Sequence, residues 1–227
     1  MKFKQNNLIK SLKEQPLIVV IRLENDFFSL PYKRDKLISN IKKLSGYGIR
    51  HIEIGWDPNK EWINLLSDVK NNFKNINIGA ASINSRKALD SILTLDLNYC
   101  MSPFFNKEIH IKAIEKNQLL IPGISNVEDF KEAINLKYKI IKIFSISKLG
   151  INFLNKLKML KENEIFFIGA GGIKSKDLKK LLKHGYNALT IGRELNIEIF
   201  DQDLEIWLKD YQNNNSMQMC QISQSHT

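Results

Sequence analysis

The sequence predicts a single (β/α)8 barrel of the TIM-barrel class, an α/β fold in which eight parallel strands alternate with helices. The chain has 227 residues, inside the range of roughly 200–250 residues typical of one complete barrel. Short apolar runs alternate with longer amphipathic stretches along most of its length, as in parallel strands covered by helices. Glycines such as Gly46 and Gly185 follow the helical periodicities, where a left-handed residue commonly ends a helix.

Eight apolar runs define the predicted strands, at 17–22, 51–54, 76–80, 99–101, 119–121, 140–144, 165–168 and 188–191. A short helix over 7–13 is expected to close the bottom of the barrel, and the last helix is expected over 203–211. We assign residues 1–212 to one (β/α)8 barrel domain. Residues 213–227 are polar and lack periodicity, so they are predicted to be a disordered tail.

The composition indicates which classes of molecule the protein is expected to bind. The formal net charge is +10, but the lysines are spread over every predicted helix, so no specific nucleic-acid binding is expected; the charge favours anionic substrates. No stretch approaches the ~20 apolar residues of a membrane span, and the run LIVVI is short for a signal peptide, so we expect a cytoplasmic protein without membrane association.

Metal and cofactor sites are not indicated by the sequence. Cys100 and Cys220 are far apart, and they support neither a disulfide framework nor a zinc cluster. The four histidines show no spacing typical of metal ligands. We therefore predict no metal and no cofactor.

Eight alternating strands could also lie open as a doubly wound sheet, and the residues at the strand ends favour the barrel. In a barrel the chemistry collects at the carboxyl ends of the strands. The predicted strand ends carry one carboxylate, one amine, one cation and several small groups: Glu53, Lys142, Arg22, Ser82, Ser102, Pro103, Pro122, Gly123, Gly171 and Gly172.

Lys142 is the candidate nucleophile. It lies between Ile141 and Ile143, so strand alternation places it inside the barrel if the isoleucines pack against helices. A lysine there is costly unless its amine is neutral or used. Burial and a cation such as Arg22 would lower its pKa and supply the free amine that attacks carbonyls. The alternative is a lysine facing solvent at a strand end.

Glu53 is the candidate acid and base. It lies between Ile52 and Ile54, so alternation again turns the carboxylate inward. A glutamate beside an amine can move protons during imine formation and carbon–carbon cleavage. The alternative is a structural ion pair with an interior cation.

The remaining candidates shape the rim of the site. Gly171 and Gly172 end the seventh strand, where exposed N–H groups could bind an anion, although a tight turn explains them equally. Pro103 follows a strand directly and could be a simple strand terminator. In a barrel it would border a small carbonyl substrate, with Phe144 as an apolar wall.

Six segments, HIEIGW, IGAAS, MSPFF, LLIPGIS, IIKIFS and FIGAGGI, resemble in order and spacing the 2-keto-3-deoxy-6-phosphogluconate/4-hydroxy-2-oxoglutarate aldolase family. The resemblance runs from about Leu17 to Leu195. It implies that Lys142 is the Schiff-base lysine and Glu53 the general acid/base. Ser82 stands where the family usually has a threonine, and Arg22 matches an arginine of the first strand.

The sequence departs from the family pattern around the expected substrate clamps. Asp57 lies in the segment where the family usually places a substrate-binding arginine. The family's F-P-A-E after the lysine is replaced by 144–147, FSIS, and Glu194 stands where a serine usually contacts phosphate. These changes bear on the choice of substrate more than on the Schiff base.

The resemblance implies a metal-independent class I aldolase, a lyase of carbohydrate metabolism that cleaves a 4-hydroxy-2-oxo acid to pyruvate and an aldehyde. It also implies a homotrimer whose small-molecule partner is the 2-oxo acid. Two alternatives stay open because fold alone does not determine reaction. One is a barrel that binds a sugar phosphate or 2-oxo acid without turnover, and the other is a sugar-phosphate isomerase or synthase.

Overall fold

The fold is a parallel barrel in which strands and helices alternate along the chain. The computed structural model describes residues 1–160, 164–195 and 201–211; the predicted tail at 213–227 lies outside them. The elements are α1 (Lys2–Glu14), β1 (Leu17–Ile21), α2 (Pro31–Gly46), β2 (His51–Gly55), α3 (Glu61–Asn72), β3 (Asn77–Ala81), α4 (Arg86–Leu93), β4 (Cys100–Met101), α5 (Lys107–Glu115), β5 (Leu120–Ile121), β6 (Gly123–Ile124), α6 (Val127–Asn135), β7 (Ile140–Phe144), α7 (Ile146–Leu149), α8 (Asn152–Met159), β8 (Phe166–Ala170), α9 (Leu178–His184), β9 (Ala188–Ile191) and α10 (202–211).

Nine strands form one sheet in the order β5-β4-β3-β2-β1-β9-β8-β7-β6, and every pair is parallel. The two end strands, β5 and β6, are separated only by Pro122, which has no N–H to give the ladder. The Pro122 carbonyl still accepts from the Lys142 N–H at 2.9 Å. They are therefore two halves of one barrel strand, the sheet closes, and the predicted (β/α)8 barrel is confirmed.

Helix α1 closes the bottom of the barrel, as predicted, although it is longer than the expected 7–13. The Ser11 hydroxyl lies 2.8 Å from Nε2 of His51 and accepts from the Asn77 amide at 3.2 Å. The Gln5 side-chain oxygen accepts from the Lys139 N–H at 2.7 Å. The amino ends of three strands are thus tied to one helix.

Several helices begin at side chains that satisfy a free backbone donor. Ser85, Asn106 and Asn126 each accept a hydrogen bond from the N–H three residues ahead, at 3.2, 3.2 and 2.7 Å. Short polar residues at this position replace the hydrogen bond that a first-turn N–H lacks. Among the described residues, the helices are all too short or too polar to cross a bilayer.

Candidate active site

A cavity of about 590 Å³ opens at the carboxyl ends of the barrel strands. The eight residues predicted from the sequence to form the site all line it: Arg22, Glu53, Ser82, Pro103, Lys142, Phe144, Gly171 and Gly172. They come from six different strand ends, so only closure of the sheet brings them together.

Lys142 points into the barrel, and only 7% of its surface is exposed, so the alternative of a solvent-facing lysine is wrong. Its Nζ lies 5.6 Å from the centroid of the Phe144 ring. The pKa of Lys142 is lowered to about 8, chiefly by burial; the carboxylate of Glu53 opposes this shift, and the positive charge of Arg22 adds to it. The amine is therefore partly neutral near neutral pH.

Glu53 is 1% exposed, and its Oε1 has no hydrogen-bond donor among the described residues. Burial raises the pKa of Glu53 to about 7, against the attraction of Lys142 and Arg22 for the ionised form. Burial thus moves the pKa values of this carboxylate and of the amine toward each other. A pair of this kind can exchange protons near neutral pH, which is the requirement for general acid–base catalysis.

Arg22 comes directly after β1 and donates to the Ser82 hydroxyl at 3.1 Å. Ser82 has a left-handed backbone, with φ of 66°, which turns the chain sharply after β3. Burial lowers the pKa of Arg22, as does the nearby positive charge of Arg193, while Glu53 opposes this. Two guanidinium groups and one hydroxyl therefore face the same part of the cavity.

The glycines after β8 are required by the close approach of the loop after β7. Gly171 and Gly172 have φ of 92° and 72°. A Cβ on Gly171 would lie 2.5 Å from the Ser145 hydroxyl oxygen, and one on Gly172 would lie 2.6 Å from Cβ of Ser147. Both side chains would collide with the loop, so these glycines have a steric role whether or not they bind an anion.

Sequence reasoning missed three of the residues that follow Lys142. Ser145, Ser147 and Lys148 line the cavity, and the two serine hydroxyls lie 2.8 Å apart. The segment was noted only for its difference from the family pattern. Its position directly after the strand that carries Lys142 was the signal that could have identified it, because barrel loops at this edge border the site.

A buried polar network lies behind Pro103, and it gives His110 a structural role. The Ser102 hydroxyl accepts from the Gly123 N–H at 3.1 Å and lies 3.2 Å from Nε2 of His110. Nδ1 of His110 lies 2.9 Å from the Tyr138 hydroxyl. Burial lowers the pKa of His110 to about 3, so the ring is neutral and can accept at one nitrogen and donate at the other.

The two carboxylates noted at the altered clamps lie in different places. Glu194 lines the cavity, together with the cations Arg193 and Lys148. Asp57 is not part of the lining, and its Oδ1 accepts from the Asn59 N–H at 2.8 Å, in the loop before α3. Only Glu194 is therefore positioned to oppose an anionic substrate.

A family model described as KDPG and KHG aldolase matches residues 8–203. The chain therefore belongs to the KDPG and KHG aldolase family, a family of class I aldolases, which are lyases. A curated relative, the 2-dehydro-3-deoxy-6-phosphogalactonate aldolase of Escherichia coli (strain K12), is 20% identical over 118 residues. That match covers 52% of this chain and 58% of the relative.

Solved structures share the fold. KDPG aldolase from Legionella pneumophila, with pyruvate captured as a covalent carbinolamine intermediate, is 20% identical with a TM-score of 0.72; the match covers 88% of this chain and 95% of that one. A cube-shaped protein cage designed by fusing symmetric oligomeric domains is 18% identical with a TM-score of 0.74, and the match covers 93% of this chain and 77% of the cage chain.

Proposed function

We propose that this protein is a Schiff-base aldolase that cleaves a 4-hydroxy-2-oxo acid, of the 2-keto-3-deoxy-6-phosphogluconate or 4-hydroxy-2-oxoglutarate type, to pyruvate and an aldehyde. One observation carries the proposal: Lys142 and Glu53 are both buried in the same cavity, and their pKa values are displaced toward neutrality. With a pKa of about 8, roughly a quarter of the amine is neutral at pH 7.5, against about one part in a thousand for an ordinary lysine.

The reaction begins when Nζ of Lys142 adds to the C2 carbonyl of the substrate. Protons pass through Glu53 while the carbinolamine loses water and becomes a protonated imine. Glu53 then removes the proton of the C4 hydroxyl, the C3–C4 bond breaks, and its electron pair moves into the enamine as the aldehyde leaves. Protonation at C3 and hydrolysis of the imine release pyruvate and the free lysine.

The other lining residues would bind and orient the substrate. Arg22 and Ser82 are suited to an anionic oxygen because they offer two donors held together by a hydrogen bond. Pro103 and Phe144 supply apolar walls, and Phe144 lies over the amine. The backbone N–H groups of Gly171 and Gly172 are candidates for the distal end of the substrate.

Exchange of the pyruvate methyl protons with deuterium tests this function without knowledge of the aldehyde. The protein should catalyse the exchange, because an enamine formed on Lys142 is protonated at C3 from solvent. Lys142→Met should abolish the exchange, and Glu53→Gln should slow it by about 10²–10⁴-fold. Lys148→Met is the matched control, since this cavity lysine is exposed and lies on the rim. Exchange that survives Lys142→Met would refute the proposal.

We further propose that Glu194 weakens the turnover of phosphorylated substrates relative to an unphosphorylated acid such as 4-hydroxy-2-oxoglutarate. A carboxylate near a phosphate is repulsive in a partly enclosed cavity. Arg193 and Lys148 on the same cavity would reduce the penalty. Glu194→Ser should therefore raise kcat/KM for the phosphorylated substrate selectively, and Asp57→Asn, outside the cavity, should not. Native protein that already strongly prefers the phosphorylated substrate would contradict this reading.

We propose a homotrimer in the cytoplasm as the working state. The designed cage that shares this fold is built from symmetric oligomeric domains, and exposed apolar side chains such as Phe104 and Ile111, 49% and 38% exposed, are available for contacts between subunits. The buried free thiol of Cys100 suits a reducing compartment. Light scattering of the full chain should give three times the 26.3 kDa of one chain; a monomer would refute the assembly.

A further inference from the structure

A tyrosine inside the barrel lies next to Glu53 and has no part in the mechanism described above. Tyr99 is fully buried immediately before β4, and its hydroxyl has no hydrogen-bond partner among the described residues. Oε1 of Glu53 is buried without a partner as well. Burial of a hydroxyl and of a carboxylate oxygen without hydrogen-bond partners costs free energy. If the two groups lie close together, one hydrogen-bonded arrangement can satisfy both.

The strand register places the two side chains in one layer of the barrel. Glu53 on β2 pairs with Gly79 on β3, and Ala80 pairs with Cys100 on β4. One residue earlier in each segment, Gly79 on β3 adjoins Tyr99, which immediately precedes β4. A Cβ on Gly79 would lie 2.7 Å from Cζ of Tyr99, the ring carbon that carries the hydroxyl. The tip of the Tyr99 ring therefore fills the place beside Glu53 where a side chain at position 79 would project.

We propose that Tyr99 is a positioning residue that donates a hydrogen bond, through one bound water, to the carboxylate of Glu53. This proposal rests on the function proposed above, in which Glu53 moves the protons. The hydrogen bond would hold Oε1 in place and stabilise the ionised carboxylate, which is the form that accepts the substrate proton.

The charges around Glu53 agree with this arrangement. Lys142 on β7 and Arg22 after β1 favour the ionised carboxylate, and burial opposes it. Burial, together with the charge of Glu53, raises the pKa of Tyr99 well above its ordinary range, so the hydroxyl keeps its proton and remains a donor. Burial likewise raises the pKa of the neighbouring Cys100 thiol, which remains neutral. Tyr99 is therefore a neutral donor near Glu53, and Lys142 and Arg22 favour the ionised form of that carboxylate.

Tyr99→Phe removes only the hydroxyl and tests the proposal through the pH profile of pyruvate proton exchange. Loss of a hydrogen bond to a charged group should raise the pKa of Glu53 by about one unit, so the acid limb of the pH profile should move upward by about one pH unit. Exchange should then fall about tenfold near pH 6 and stay unchanged near pH 9. The melting temperature should also fall, whereas removal of a hydroxyl without a partner would raise it.

Tyr186→Phe is the matched control. Tyr186 is 3% exposed, its ring packs against Gly169, its hydroxyl also lacks a partner among the described residues, and burial alone raises its pKa to about 12. The control should leave the acid limb in place. An equal loss of exchange at every pH in Tyr99→Phe, or an unmoved acid limb, would overturn the proposal.

A second measurement separates this proposal from the proposed function. The infrared band of the Glu53 carboxyl, taken as the difference between the native protein and Glu53→Gln without pyruvate, reports the ionisation of Glu53 directly. When the same difference is taken in the Tyr99→Phe variant, the pH midpoint of the Glu53 titration should be about one pH unit higher. If the native protein fails to exchange the pyruvate methyl protons but the infrared midpoint moves in Tyr99→Phe, the aldolase proposal fails and the Tyr99 proposal stands. If the midpoint does not move, only the Tyr99 proposal is refuted.

Discussion

Replacement of Lys142 by methionine should stabilise the protein at neutral pH while it abolishes the chemistry. Burial is the main cause that lowers the pKa of Lys142 from its ordinary value of 10.5 to about 8 in the folded chain. At 1.36 kcal/mol per pH unit, that difference of about 2.5 units amounts to roughly 3 kcal/mol of free energy that opposes folding when the amine is charged. Methionine has a similar length and fills the same space without a charge.

The sign of this effect depends on pH. A buried lysine with a lowered pKa binds its proton more weakly in the folded state, so its destabilising effect is complete below pH 8 and is lost as pH rises to about 10.5. Loss of the attraction between Lys142 and Glu53 reduces the gain, because it raises the cost of the ionised carboxylate. We therefore expect Lys142→Met to raise the free energy of unfolding by about 2 kcal/mol at pH 7.

Urea unfolding at pH 7 and pH 10 measures this directly. The advantage of Lys142→Met over the native chain should shrink at the higher pH. Lys148→Met is the control, because this exposed lysine of the same cavity should change stability by at most about 0.5 kcal/mol. A Lys142→Met variant that is less stable than the native chain at pH 7 would refute the argument that the amine is held at a cost.

Two further predictions concern the support of the site. Gly123→Ala should lower the free energy of unfolding by about 2 kcal/mol or more, because the new Cβ would lie 2.5 and 2.6 Å from the Ser102 and Pro103 carbonyl oxygens. Gly46→Ala is the control in the same urea denaturation assay. Its new Cβ would have nothing within 4 Å, so it should leave stability unchanged or raise it. Tyr138→Phe should lower the free energy of unfolding by about 1 kcal/mol, because His110 loses its hydrogen-bond partner. It should also raise KM, because His110 then holds Ser102, behind Pro103, less firmly. Equal stability of the variant and the native chain would contradict this prediction.

The barrel could be predicted because its signals are local and repeated. Alternation in the segments around Glu53 and Lys142 indicated which side chains turn inward, and parallel strand ends necessarily share one edge of the barrel. The fifth strand was less readable, since Pro122 interrupts it and only the hydrogen bond from Lys142 to the Pro122 carbonyl shows that it continues. The ends of helices also differed, with α1 beginning at Lys2 instead of residue 7.

The parts of the site that escaped prediction depend on contacts between distant segments. Asp57 was expected near the substrate, but its position depends on how the loop after β2 folds, and there it binds the Asn59 N–H. The packing of Ser145 and Ser147 against Gly171 and Gly172 joins two loops that are far apart in sequence. The proximity of Tyr99 and Glu53 likewise follows from the register of three strands, which no local pattern contains.

Reductive trapping with pyruvate and borohydride tests whether Lys142 forms an imine with a 2-oxo acid. Borohydride reduces an imine to a stable secondary amine, so peptide mass mapping should find one pyruvate-derived label, on Lys142. Lys142→Arg should remain unlabelled, because a guanidinium keeps its proton and cannot add to a carbonyl. Absence of label in the native protein, or equal labelling after Lys142→Ala, would show that Lys142 is not the amine that forms the imine.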